Sequence, residues 1–307
     1  MHGPFKTALV AISLLMAPAT MAQTSPGPAA DLAPAPEAAA PEKPRFTQDS
    51  MNVYRRFEPG LTPRMVTFYG EALGLKPLQP IQLNASQQMI LFGIGTGQIK
   101  LAAGLKEGRL HHVGGPADAT GIRLFALRYP DEAALTARFK AAGFPAPAFK
   151  DMGGGLRGAL VSDPAGFGIQ LVIDPQARPG IDVGINVSDL ERSRAFYRSF
   201  VGLEELPRVE DRLLGVTKYP FRHGETTISL WSAGKELPAD TGSAGIQYVI
   251  GNVDGVNAAA MRDKVTVEEP LGGLPNFSIR FVWLNDPDGV TNYFAQPGAN
   301  ERPATGG

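Results

Sequence analysis

The chain has 307 residues, enough for about two domains of common size, with an apolar fraction of 43% and a charged fraction of 19%, as in ordinary globular proteins. A net charge of −1 supplies no basic field, so neither nucleic acid nor an anionic membrane surface is an expected partner. The absence of cysteine excludes disulfides, thiolate metal sites, a Cys nucleophile and a lipid-anchoring Cys.

Residues 1–22 read as an export signal. Lys6 supplies the positive region, Thr7 to Ala17 form a short apolar stretch, and Thr20-Met21-Ala22 gives small residues at cleavage spacing. The apolar stretch is too short for a permanent anchor, and no later segment approaches the roughly 20 apolar residues of a span, so no transmembrane segment is expected. A periodic return of Pro and Ala over 23–49 blocks helix and sheet and reads as a disordered tether. The expected location is periplasmic or secreted.

After the tether the elements follow in a repeated order. A strand, "NVYRRF", precedes a helix that Pro63 can open and along which Met65, Phe68, Tyr69 and Ala72 recur at helical spacing. Gly74 is placed for a left-handed stop, and three strand-like runs follow, "LQPIQL", "QMILFGI" and "GQIKLAA". "IRLFALRYPDEAALTARFKAAG" then gives a strand and a helix, and "RGALVSDPAGFGIQLVID" a hairpin. From "IDVGINV" the order starts again. Asp189 is a candidate N-cap, Phe196, Tyr197 and Phe200 line one helix face, and Gly202-Leu203 ends it. "LLGVTKYPF" and "TTISLW" are strands, and "GIQYVIGNVDGVNAAAMRD" with "SIRFVWLNDPDGVTNYFAQP" forms a last unit. In "DPAG" and "DPDG", Asp opens a turn, Pro presets the next φ, and Gly releases the chain into a terminal strand.

Phe68-Tyr69…Gly74-Leu75, Phe196-Tyr197…Gly202-Leu203, Asp163-Pro164-Ala165-Gly166 and Asp286-Pro287-Asp288-Gly289, in this order and spacing, resemble the vicinal oxygen chelate superfamily of glyoxalases, bleomycin resistance proteins and extradiol dioxygenases. The resemblance implies an α+β fold of four βαβββ units paired into two glyoxalase-like domains, at 50–176 and 179–298, followed by a disordered tail at 299–307. It also implies a divalent metal at the bottom of each cup-shaped sheet, held by His, Gln or Glu on the first and last strands of a unit.

Counting from the repeated motif places Tyr54 and Lys100 at those positions in the first unit, with Leu124 and Gln170 in the second. The third unit offers Asp182 and Ser229, and the fourth Gly245, or Gln247 one pleat further, and Tyr293. An ammonium at Lys100 repels a cation, and only Asp182 and Gln247 remain as weak metal candidates. No cofactor is therefore expected, a divalent metal being the alternative. The set Asp182, Ser229, Gln247 and Tyr293 suits a neutral or cationic organic ligand and is taken as the main site. Tyr54, Lys100 and Gln170 suit an anion, or fill a closed cup. His111, His112 and His223 read as loop or turn residues on the surface.

Three functions stay open: metal-free binding of a small organic molecule; a lyase, isomerase or dioxygenase with an atypical metal site; and an interaction protein of the cell envelope.

Overall fold

The computed structural model describes residues 42–298 except 85, 86, 177, 235, 275 and 276. The expected signal segment, most of the tether and the tail at 299–307 lie outside the described residues. The first unit comprises β1 (Asn52–Phe57), α1 (Thr62–Thr67) continued by a π-helical turn (Phe68–Ala72), β2 (Lys76–Asn84), β3 (Gln87–Ile94) and β4 (Gly97–Ala103). The second comprises β5 (Thr120–Tyr129), α2 (Glu132–Ala141), β6 (Lys150–Gly153), β7 (Leu156–Ser162) and β8 (Gly168–Ile173). The third has β9 (Ile181–Asn186), α3 (Leu190–Ala195) with a second π-helical turn (Phe196–Val201), β10 (Glu204–Glu205), β11 (Val209–Asp211), β12 (Val216–His223) and β13 (Thr226–Trp231). After the short β14 (Ala239–Asp240), the fourth has β15 (Ala244–Val249), α4 (Val253–Arg262), β16 (Val267–Gly273), β17 (Ile279–Asn285) and β18 (Thr291–Pro297). Among the described residues, no helix is long and apolar enough to cross a membrane.

Local chemistry sets the helix ends. The Asp131 and Asp189 carboxylates accept from the backbone N–H of Ala134 and Arg192, capping α2 and α3. Gly74 and Gly202 end the first and third helices in the left-handed region, with φ of 68° and 84°.

The repeated Phe-Tyr pair has a structural purpose. Tyr69 donates to the Asp163 carboxylate at 3.2 Å, and Tyr197 to that of Asp286 at 2.9 Å. Each Asp also accepts two backbone N–H groups of its own turn, from Ala165 and Phe167 or from Asp288 and Val290. Each helix is thus tied to the turn that launches the last strand of the following unit. Phe68 packs edge-on against Phe139, closing the same seam between the first and second units. The two turns differ in charge. Arg55 meets Asp163 at 2.9 Å, both side chains buried, whereas Asp286 has no cation beside it among the described residues. Burial, with Asp288 adding repulsion, pushes the Asp286 carboxyl up to about 7, against the lowering effect of its hydrogen bonds.

Strand pairing crosses the two halves of the chain. One sheet runs β16-β17-β18-β15-β1-β4-β3-β2, joining the fourth unit to the first through antiparallel β1 and β15. The other runs β10-β12-β13-β9-β5-β8-β7-β6, joining the third to the second through β9 and β5. Side chains alternate across each sheet. One face, with Val53, Ile99, Ile246 and Phe294 in the first sheet and Val183, Ile228 and Phe125 in the second, enters a continuous apolar core with the helices. The opposite face forms a cup. Gly121, with φ 105°, lets β14 lie against β5, because a Cβ there meets the Asp240 carbonyl oxygen.

Two expectations change. The last residues of the tether are packed: Phe46 bridges Ile250 and sets its ring 4.3 Å from that of His223, and Thr47 donates to the Val249 carbonyl. An aromatic ring at the end of a Pro-rich run gains enough from burial to order the chain there. His223 is accordingly buried, not on the surface, and burial pushes its imidazole pKa down.

Candidate functional site

The strand order regroups the candidate residues. Tyr54 and Lys100 face Gln247 and Tyr293 in the first cup, while Gln170, Asp182 and Ser229 belong to the second. The grouping of Asp182 and Ser229 with Gln247 and Tyr293, and of Tyr54 and Lys100 with Gln170, does not hold in space. That grouping follows from pairing neighbouring units along the chain, whereas the sheets join the first unit to the fourth and the second to the third.

The second cup is filled. The turn between β11 and β12 folds over it, tied by two N–H bonds from Leu213 and Leu214 to the Asp211 carboxylate. Leu214 and Val216 then pack on Leu124, Ala126 and Trp231. Beneath them Lys218 meets Asp211 at 2.6 Å and donates to the Gln170 carbonyl at 3.0 Å, while the Gln170 amide donates to Asp211 at 2.8 Å. Burial pushes the Asp211 carboxyl up, but the Lys218 charge and the hydrogen bonds outweigh it and leave it below the usual carboxylate range. Asp182 is also engaged, by Arg128 at 2.6 Å and the Thr227 N–H at 2.8 Å.

The first cup holds a cavity of about 280 Å³. One wall is aromatic: the Trp283 ring lies 5.3 Å from that of Tyr293 and 6.2 Å from that of Tyr54. Ile81, Leu83, Met89 and Ala102 supply the aliphatic side, and Leu274, Phe277 and Ile279 stand across from them. The polar members are Tyr54, Arg56, Lys100, Gln247, Ser278 and Tyr293. None of the described lining residues is acidic.

Lys100 is the central group. It lies opposite Tyr54 in parallel register and donates to the Gln247 carbonyl oxygen at 2.5 Å, an oxygen that also accepts from Asn52 at 3.2 Å. No carboxylate pairs with it among the described residues. Burial in this apolar setting pushes its pKa down to about 8. Arg56 stands on the same face two residues beyond Tyr54, and sequence reasoning did not single it out. The alternation of β1 was the available signal: a cup-facing Tyr54 makes Arg56 cup-facing too.

Tyr54 is held from behind. Its ring crosses Gly245, where any Cβ collides with it, so that glycine is the room the ring needs. Thr291, near the Tyr54 hydroxyl, donates to Glu268 at 2.6 Å. Glu268 is held by Lys106 at 3.0 Å and Arg109 at 3.4 Å, and Lys106 lies 4.4 Å over the Trp283 ring. Burial pushes the phenol of Tyr54 up to about 12 and raises that of Tyr293 as well, so both remain protonated donors.

These donors do not fit a divalent metal. An ammonium occupies the first cup, the Gln247 oxygen is taken by two donors, and the Asp182 carboxylate is neutralised by an arginine. Among the described residues, no group of three or more His, Asp or Glu could hold a metal ion. The His111 ring reaches the Lys106 carbonyl at 3.4 Å and, among the described residues, no carboxylate.

Comparison with known proteins agrees with this architecture. The family described as the Glyoxalase/Bleomycin resistance protein/Dioxygenase superfamily matches residues 61–171 and 181–294. A lactoylglutathione lyase of Arabidopsis thaliana is 27% identical over 247 residues, covering 74% of this chain and 84% of that protein. The crystal structure of glyoxalase I from Zea mays superposes with a TM-score of 0.63 at 20% identity, over 80% of this chain and 92% of that one, a likeness of fold.

Proposed function

The chain belongs to the glyoxalase/bleomycin resistance protein/dioxygenase superfamily, and from that premise we propose that it binds a small organic anion with an apolar body in the cup of its first and fourth units, without a divalent metal. The observation that carries this reading is the Lys100 ammonium, set among aromatic and aliphatic walls with no carboxylate among the described residues to neutralise it. A buried cation without a counter-ion is costly, and a ligand anion relieves that cost. Arg56 supplies a second positive group, and the rings of Tyr54, Trp283 and Tyr293 offer a surface for an aromatic body. The ligand is an anion, where the sequence alone favoured a neutral or cationic one, because the cup combines Lys100 with Gln247 and Tyr293. A thermal-shift panel of aromatic and aliphatic carboxylates against the matching neutral amides tests it. Carboxylates raise the melting temperature and amides do not; equal shifts, or shifts from amides alone, refute it.

Lyase activity is the second reading, favoured by the 27% identity to a lactoylglutathione lyase across most of both chains. It requires a reaction that the residues of the cup support without the usual metal ligands. Turnover of lactoylglutathione in the presence of a chelator distinguishes it from binding. Export to the periplasm or beyond belongs to the same proposal, and rests on residues 1–22. Intact mass of the protein from the envelope fraction tests it: a chain beginning at Gln23 supports export, and a retained segment refutes it.

A further inference from the structure

The amine in the first cup can do more than attract an anion. We propose that Lys100 captures the carbonyl carbon of an aromatic oxo acid as an imine while Arg56 pairs with its carboxylate, an inference that rests on the cup reading above. An imine requires a free amine; an apolar site and a second anchor make its formation selective, and the cup has each.

The free amine comes from the surroundings of Lys100. The amine lies in the cavity wall, its recorded bond is to an amide oxygen, and no carboxylate among the described residues stabilises its charge. With its pKa pushed down to about 8, about a tenth of it is unprotonated at pH 7, against roughly one part in 2,500 for an exposed lysine. The anchor is Arg56, which pairs with Ala102 across the same two strands in which Tyr54 pairs with Lys100. Two residues along and one strand across, strand geometry separates the two backbones by about 8 Å. Two long side chains converging from that distance suit a carbonyl and a carboxylate on either side of one aromatic ring. Tyr54, Trp283 and Tyr293 provide the face on which such a ring lies.

The step balances without an oxidant, reductant or co-reactant. The Lys100 lone pair attacks the carbonyl carbon, and the carbonyl electron pair moves to oxygen. That oxygen takes a proton, and the nitrogen loses one, giving a carbinolamine. The carbinolamine hydroxyl takes a second proton and the nitrogen lone pair expels it as water, leaving a protonated C=N. Loss of the remaining N–H proton, which returns the one taken up, gives the neutral imine in place of C=O. The phenols of Tyr54 and Tyr293, both held protonated by burial, are the donors lining the cavity for the developing oxyanion.

The test uses 4-formylbenzoate with cyanoborohydride, which reduces an imine to a stable secondary amine, followed by digestion and peptide mapping of the wild-type chain. At pH 7 Lys100 should be labelled at least about tenfold faster than any other lysine, a conservative share of the difference in free amine. Arg56→Gln should slow labelling by 4-formylbenzoate far more than labelling by benzaldehyde, which has no carboxylate. Even labelling across the lysines, or labelling that spares Lys100, overturns the imine. 4-Methylbenzoate separates this failure from that of the cup reading, because it keeps the ring and carboxylate but has no carbonyl. Binding of 4-methylbenzoate without a Lys100 label refutes the imine alone; absence of both refutes the two readings together.

Discussion

Replacing Asp286 with asparagine should change the stability of the protein in a way that depends on pH. The carboxyl is buried beneath the Asp-Pro-Asp-Gly turn, pushed up to about 7 chiefly by loss of solvent. An acid whose pKa is raised by folding keeps a proton that the unfolded chain has released. Its stabilising contribution is therefore complete below about pH 4 and is lost as the pH rises through 7. Taking an unfolded value of about 3.9, the linkage penalty is about 1.5 kcal/mol at pH 5 and about 4 kcal/mol at pH 8. Asparagine keeps an oxygen for the N–H groups of Asp288 and Val290 and cannot ionise. Urea unfolding of both proteins between pH 5 and 8 should show Asp286→Asn gaining about 2–3 kcal/mol on the wild type across that range. Asp163→Asn is the contrast. It leaves the buried Arg55 without its carboxylate and should cost about 3–5 kcal/mol at neutral pH. A stability difference for Asp286→Asn that does not vary with pH refutes the reasoning.

Other outcomes follow from the two cups. Gly245→Ala drives a Cβ into the Tyr54 ring, so it should destabilise the protein by about 1–3 kcal/mol in urea unfolding and weaken ligand binding as the ring shifts into the cavity. Lys218→Ala strands the buried Asp211 charge in the filled cup and should cost about 3–5 kcal/mol, yet leave the affinity of the other cup for 4-methylbenzoate unchanged. Anion binding needs the Lys100 ammonium, so affinity measured by calorimetry should fall as pH rises through about 8, where burial keeps the lining phenols of Tyr54 and Tyr293 protonated.

Much of the fold is legible because its signals are local. Asp189 caps, Gly74 and Gly202 stop, and Asp163 and Asp286 open turns within a few residues of themselves. The tyrosines of the repeated pair add a longer link, and their spacing is what makes the four units countable. The site is less legible because it depends on which units share a sheet. Tyr54 meets Gly245 across most of the chain, and no local pattern distinguishes that pairing from one between neighbouring units. The filled second cup was hidden for a related reason. Leu213-Leu214 before Gly215 reads as part of a strand, and the structure turns Leu214 inward over Trp231. An apolar pair at a turn was the available hint. Lys100 was visible as an obstacle to a metal, but its role in a cup with Gln247 and Tyr293 needed the strand order.

Calorimetric titration of the wild type, Lys100→Gln and Asp182→Asn with 4-methylbenzoate, all in excess chelator at pH 7, tests the central claim most directly. One equivalent should bind to the wild type and to Asp182→Asn with equal affinity, and binding to Lys100→Gln should weaken at least about tenfold, as for loss of a charged hydrogen bond. Binding that survives in Lys100→Gln and is lost in Asp182→Asn, or that appears only when a divalent ion replaces the chelator, would contradict it.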